Sequence, residues 1–157
     1  MRGRWYITIL EGKEMVDARK LLEHKGSKVI TVEASASVFD ALQRMADSNI
    51  GALVVMDGDR LVGIFSERDY ARKVVLKNKF SRDTAVREIM TPNPILVTPE
   101  SDVRECMRLM TDHLVRHLPV IDKGNLVGIV SIGDVVKWII EDQADSIQFL
   151  ERYIKGR

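Results

Sequence analysis

The chain has one cysteine, Cys106, among its 157 residues. No intramolecular disulfide can form, and no multi-cysteine zinc or iron–sulfur site is available. A lone thiol fits a reducing compartment. Net charge is nearly absent: 24 Lys and Arg against 23 Asp and Glu leave +1. That balance lacks the basic excess with which nucleic-acid-binding surfaces meet phosphate backbones. No stretch approaches 18 uncharged apolar residues, so no segment reads as membrane-spanning. The opening Met1–Leu10 carries basic residues, but its apolar run is too short for a secretory signal. These absences point to a cytoplasmic protein that binds neither membrane nor nucleic acid.

Catalytic signatures are also missing. There is no P-loop, no Gly-x-Ser-x-Gly elbow and no Gly-x-Gly-x-x-Gly loop. The three histidines form no nucleophile–base constellation, which argues against an enzyme. His113 and His117 have the spacing of a helical metal pair. However, the helix should end near His113 while His117 belongs to a strand, so no metal site is expected. What remains is ordinary globular material, 45% hydrophobic and 30% charged. Folding a chain of this length buries roughly 70% of its surface, enough for a core without staples.

The organising feature is an internal duplication. Laying Ile30–Asp69 on Ile95–Asp134 needs no gap at an offset of 65 and gives 14 identities in 40 positions. Each unit begins with a short apolar strand, Val29–Val32 or Ile95–Val97. A helix follows, with Val38, Ala41, Leu42 and Met45, or Val103, Cys106, Met107 and Met110, at i, i+3, i+4, i+7. Cys106 lies on that apolar face and aligns with Ala41, so it reads as a small buried residue. Next comes a strand, Ala52–Met56 or Leu118–Ile121. A turn leads to the second strand of a hairpin, Leu61–Phe65 or Leu126–Val130. Ser66 and Ser131 then open a further helix. The pattern is β-α-β-β-α, twice, and predicts a mixed α/β (α+β) fold with two three-stranded sheets and helices outside.

The flanks differ from the repeats. The sequence divides into an N-terminal flank 1–23, a first repeat 24–84, and a second repeat 85–157 that ends in a long helix. Residues 1–28 carry net charge +3. Their Val16…Leu21-Leu22 stretch predicts a short helix, echoed by Val86…Ile89-Met90. At the C-terminal end, Val136, Ile140, Gln143, Ile147, Leu150 and Ile154 are spaced 4, 3, 4, 3, 4. That seam suits either packing within the domain or a subunit contact.

Two constellations could carry binding. Gly63-Ile-Phe-Ser66-Glu-Arg-Asp69 and Gly128-Ile-Val-Ser131-Ile-Gly-Asp134 both end a strand and start a helix. Serine followed by an acidic residue three positions on is a capping box. The same geometry offers free N–H groups to a phosphate and a carboxylate to the two hydroxyls of a ribose. Both readings stay open for each turn. The second constellation is Arg116-His-Leu-Pro-Val120. Arginine matches phosphate oxygens, and the counterparts in the first unit are Gly51 and Ala52, so the fold does not require the basic pair. Successive strand residues face opposite sides, which predicts different tasks for Arg116 and His117.

Together these motifs resemble a tandem pair of CBS domains, the Bateman module: Leu-Val-Gly-Ile-x-Ser-x-x-Asp twice, Arg-His-Leu-Pro-Val-Ile-Asp, and Ile-Met-Thr-Pro before it. The resemblance covers roughly residues 15–145. It implies two repeats packed through their sheets about a pseudo-twofold axis, with clefts for adenosine-containing ligands. It also implies a homodimer. Carried over by position, it assigns ribose contacts to Ser66, Asp69, Ser131 and Asp134. Phosphate contacts fall on Arg116 and His117, and adenine surroundings on Thr31, Val32, Ala52, Leu53, Val97, Thr98, Pro99 and Leu118. The first unit lacks the basic pair, and Arg68 and Arg72, on the helix after Ser66, could supply charge instead. The expectation is a stand-alone regulatory module without catalytic domain. It would bind AMP, with NAD(H) next and ADP, ATP or S-adenosylmethionine as further candidates, and act on an effector protein. The rival expectation is a structural homodimerisation module with degenerate clefts.

Overall fold

The structure is a computed structural model that describes residues 16–26 and 28–155. The first half contains α1 (Ala18–Lys25), β1 (Thr31–Glu33), α2 (Val38–Ser48), β2 (Ala52–Asp57), β3 (Arg60–Ser66) and α3 (Glu67–Asp69). α3 runs on as a π-helical turn, Tyr70–Val74, and a 3-10 turn, Val75–Lys77. The second half contains α4 (Val86–Ile89), β4 (Thr91–Pro92), α5 (Val103–His113), β5 (His117–Asp122), β6 (Asn125–Ser131) and α6 (Ile132–Lys155).

The central helices form where their apolar spacing and caps place them. Ser37 caps α2 by accepting the Asp40 N–H, and Asp102 caps α5 by accepting the Arg104 N–H. α2 buries Val38, Ala41 and Met45; α5 buries Val103, Cys106, Met107 and Met110. Both end in a left-handed residue. In α2 it is Asn49, which tolerates that conformation, and in α5 it is Leu114 at φ 54°, which does so at a cost.

The sheets are unequal. β1 pairs parallel with β2, β2 antiparallel with β3, and β3 antiparallel with β4, giving four strands in that order. The other sheet has only β5 and β6. The symmetrical three-stranded expectation is therefore corrected in both units. In the second unit the first strand shrinks to one parallel bridge, Val97 with Val120. Its counterpart Val32 with Val55 sits inside a three-residue ladder. The reason is a proline. The Ala34 N–H donates to the Met56 carbonyl at 2.8 Å, and the residue 65 positions on is Pro99, which has no N–H to give. In the first unit, β4 adds a fourth strand from the inter-unit connection.

The two cores do not follow the order of the chain. Ala18, Leu21 and Leu22 of α1 pack with Val97, Val103, Cys106, Leu118 and Val130 of the second unit. Val86 and Ile89 of α4 pack with Val32, Val38, Leu53 and Phe65 of the first. Matching hydrogen bonds fix both docks. The Ala18, Arg19 and Val103 N–H groups donate to the carbonyls of Ser101, Pro99 and Val16, each at 2.9 Å. In the first unit, the Val86, Arg87 and Val38 N–H groups donate to Ala36, Ala34 and Thr84 at 2.9, 2.9 and 2.8 Å. Each repeat thus completes its core with the helix that leads the other.

This exchange explains the glycine in both Leu-Val-Gly-Ile strands. A Cβ on Gly128 would lie 2.5 Å from a Leu22 methyl carbon, so α1 rests directly on that strand. A Cβ on Gly63 would lie 2.6 Å from the Met90 sulfur and 2.8 Å from the Thr91 carbonyl oxygen. Leu22 can rotate, whereas the Thr91 carbonyl belongs to the backbone of β4. Gly63→Ala should therefore destabilise the fold by about 2–3 kcal/mol and Gly128→Ala by less. Urea denaturation of the two variants measures the order, and equal losses would contradict this packing.

Candidate functional site

A cavity of about 620 Å³ opens between the two repeats. That volume is in the range of small-molecule sites. Its wall from the first unit includes Gly51, Ile64, Ser66, Arg68 and Asp69. Thr91, Asn93 and Pro94 come from the segment that leads into the second unit, and Ile95, His113, Leu114, Val115, Arg116, His117, Ser131, Ile132 and Gly133 from the second unit itself.

Both Ser-x-x-Asp turns are capping boxes. The Asp69 N–H donates to Ser66 Oγ at 3.2 Å, and Asp69 Oδ2 accepts the Ser66 N–H at 3.0 Å and its hydroxyl at 3.1 Å. The Asp134 N–H donates to Ser131 Oγ at 3.1 Å, and Asp134 Oδ2 accepts the Ser131 N–H at 2.8 Å. The carboxylates have further partners that the sequence pattern did not reveal. Lys73 Nζ lies 3.0 Å from Asp69 Oδ1, and the Thr91 hydroxyl donates to the same oxygen at 3.3 Å. Lys25 Nζ lies 2.8 Å from Asp134 Oδ2 and also donates to the Ile129 carbonyl at 3.0 Å.

Of the residues assigned by resemblance, Ser66, Arg68, Asp69, Arg116, His117 and Ser131 meet on the cavity wall. Asp134 does not line it, and its side chain turns to Lys25. Val32, Ala52, Leu53, Val97 and Leu118 are buried. Thr31 offers its carbonyl to Arg44, and Thr98 is exposed with its N–H donated to Ser101 Oγ. Pro99 is buried beneath α1, its carbonyl accepting the Arg19 N–H. None of these eight reaches the cavity wall, because the sheets bury one face and the helix docks occupy their ends.

Strand alternation does not separate Arg116 from His117. β5 begins at His117, so Arg116 stands before the strand, where its carbonyl accepts the Ile132 N–H at 2.9 Å. Both residues line the cavity. Leu114 and Asn93, both at positive φ, also line it. Sequence reasoning missed them, although Leu114 falls on the helix-ending Asn49 of the first repeat. Among the described residues no group of His, Cys, Asp and Glu could hold a metal ion. Cys106 is buried, and burial foremost pushes its thiol up to about 11, with Glu105 and Asp102 adding to the effect.

Two histidines, His113 and His117, stand on the cavity wall, and His117 is the more buried. Burial lowers its pKa first and the Lys25 ammonium second; Asp134 opposes them and Arg116 adds to them. The folded chain therefore refuses a proton that the unfolded chain accepts near pH 6.5. Between that value and the lower folded pKa, falling pH must cost stability. Melting temperature should decline as pH drops from 7 toward 5, and His117→Asn should flatten the decline. Identical pH profiles for the variant and the wild type would contradict the burial of His117.

Comparison with known proteins gives these features a context. The CBS domain family model matches residues 23–76 and 86–141. The CBS domain-containing protein CBSX3, mitochondrial, of Arabidopsis thaliana is 43% identical over 125 residues, covering 76% of this chain. The match spans 61% of that relative's length. The crystal structure of the CBS domain NE2398 superposes with a TM-score of 0.78 at 46% identity, covering 81% of this chain and 99% of that one. A CBS domain pair solved in complex with 5'-methylthioadenosine and S-adenosyl-L-methionine superposes with a TM-score of 0.74 at 26% identity. It covers 82% of this chain and 99% of its own.

Proposed function

The chain belongs to the CBS domain family, with two CBS domains in tandem, and from that premise we propose a regulatory module that binds an adenine nucleotide between its repeats. The carrying observation is the cavity, onto which the Ser66 and Ser131 turns open beside Arg68, Arg116 and His117. Capped turns present polar backbone to a ribose phosphate, and the arginines supply charge for its phosphate. The adenosine compounds in the related pair add support. AMP is the first ligand, followed by NAD(H), ADP, ATP and S-adenosylmethionine. The module acts in the cytoplasm, as a sensor and not as an enzyme. Ligand bound across both repeats favours the arrangement that makes both sets of contacts, and an effector protein reads that shift. No helix among the described residues is long and apolar enough to cross a membrane.

The test compares AMP with adenosine, which keeps the ribose and drops the phosphate. Asp69→Ala should weaken both by about 10- to 100-fold, the loss of charge-assisted bonds to the diol from the turn carboxylate on the cavity wall. Arg116→Ala should weaken AMP far more than adenosine. If Asp69→Ala binds both ligands like wild type in a calorimetric titration but melts a few degrees lower, Asp69 is a cap alone. One observation favours a structural module with degenerate clefts: both carboxylates already hold lysines. A chain that binds no adenosine compound would establish that reading.

The same proposal includes a homodimer built on α6. This helix turns Val135, Trp138 and Ile139 into the second core. It leaves Val136, Ile140 and Ile147 exposed by 45, 60 and 57%. The side chains of Gln143, Leu150 and Ile154, which complete the seam, lie outside the described residues. An exposed apolar stripe of this kind marks an interaction surface. Sedimentation at tens of micromolar should give a dimer, and truncation after Asp142 should weaken it. A monomer would count against the proposal.

A further inference from the structure

The carboxylate of Asp69 is full. Its side chain keeps 10% exposure, and four donors reach it. Lys73 and Thr91 bond to Oδ1; the Ser66 N–H and hydroxyl bond to Oδ2. A carboxylate has about four lone-pair positions, so no acceptor remains for a diol. Asp134 differs: its contacts among the described residues, with the Ser131 N–H and Lys25, both fall on Oδ2. Yet of the two capping-box carboxylates it is Asp69 that lines the cavity.

Lys73 has a second task. Its ammonium also donates to the Ile89 carbonyl at 3.2 Å and stands 3.5 Å from the Thr91 hydroxyl. It thus ties the Ser66 turn to the end of α4 and the start of β4. It does so from the π-helical turn Tyr70–Val74, a feature frequent at functional sites. Ile89 belongs to the core of the first repeat, and Thr91 pairs with Ile64. Whatever displaces Lys73 from Asp69 alters the joint between the repeats.

We propose that Lys73 and Thr91 form a latch on Asp69, which a ligand's ribose diol must exchange in order to bind. This rests on the reading of the cavity as a nucleoside site and adds how occupancy reaches the connection between the repeats. The diol replaces Lys73 and Thr91 at Oδ1, and the freed ammonium loosens its hold on the Ile89 carbonyl. Ligand and latch compete for one oxygen, so they are coupled reciprocally. The latch also sets selectivity, since only a ligand with two adjacent hydroxyls replaces both donors at once.

The prediction has a sign that electrostatics alone would reverse. Deleting a cation beside an anion-binding cavity should weaken nucleotides, whereas deleting the latch should strengthen the grip on a diol. Adenosine is the probe, because it has no phosphate for Lys73 to attract. Lys73→Met should bind adenosine about three- to fivefold tighter than wild type by calorimetry, the scale of a half-exposed ion pair. Thr91→Val should shift affinity in the same direction by less, and it carries the test if Lys73→Met does not fold. Amide exchange over residues 89–93 should rise when adenosine saturates the wild type, and should already be high in ligand-free Lys73→Met. If adenosine binds wild type but binds Lys73→Met no more tightly, the latch is overturned and the nucleoside site stands. If neither protein binds adenosine or AMP, the nucleoside reading fails and the latch with it.

Discussion

Everything in this fold depends on the exchange of leading helices. α1 precedes the first repeat and docks on the second; α4 precedes the second and docks on the first. Neither small sheet has enough apolar cover of its own, and each borrows a helix to close its core. The exchange sets the register of the repeats against each other. It brings the Ser66 and Ser131 turns to one cavity, because β3 and β6 each lie beneath a borrowed helix or its trailing residue. It also supplies the lysines. Lys25 reaches Asp134 from the last turn of α1, and Lys73 is anchored on the Ile89 carbonyl at the end of α4.

The two halves share a plan but not a chemistry. Both serine turns cap, and both carboxylates meet an ammonium. Beyond that they diverge. Asp69 is held by four donors, one of them Thr91 of β4, and the contacts of Asp134 among the described residues fall on Oδ2. The basic pair Arg116 and His117 belongs to the second unit alone, while Arg68 faces it from the first. The two equivalent positions of the duplication thus differ, one carboxylate held on both oxygens and the other unit carrying the basic pair.

Much of this was legible in the sequence because periodicity reports burial. The faces Val38/Ala41/Met45 and Val103/Cys106/Met107/Met110 are the helix sides that reach the core, and the hairpins run between the turns the sequence marks. The offset of 65 also located both capping boxes. Three features escaped. The loss of a strand in the second unit hangs on a single absent N–H, at Pro99, which apolar patterning does not register. The helix exchange was hidden because a short amphipathic helix carries no label for the sheet it will cover; the close fit of Leu22 on Gly128 settles it only in three dimensions. The lysine partners lie 109 and 4 residues from their carboxylates, and no repeat relates them. Leu53 and Leu118, which the resemblance places around adenine, have buried side chains, and the apolar pattern that buries them carries no information about what their backbone groups meet.

The borrowed N-terminal helix imposes an order on folding during synthesis. When α1 leaves the ribosome, the strand it must cover has not been made. Leu21 and Leu22 wait, uncovered, while more than a hundred further residues emerge, because Gly128 lies 106 positions after Leu22. The first repeat can close early, since α4 follows it directly. The second cannot close until β6 has been translated and α1 returns to it. Such late, long-range closure is the slow step expected of contacts far apart in sequence. The chain is therefore committed to its pair only at the end, and a half-made copy carries an unfilled dock that another half-made copy could fill.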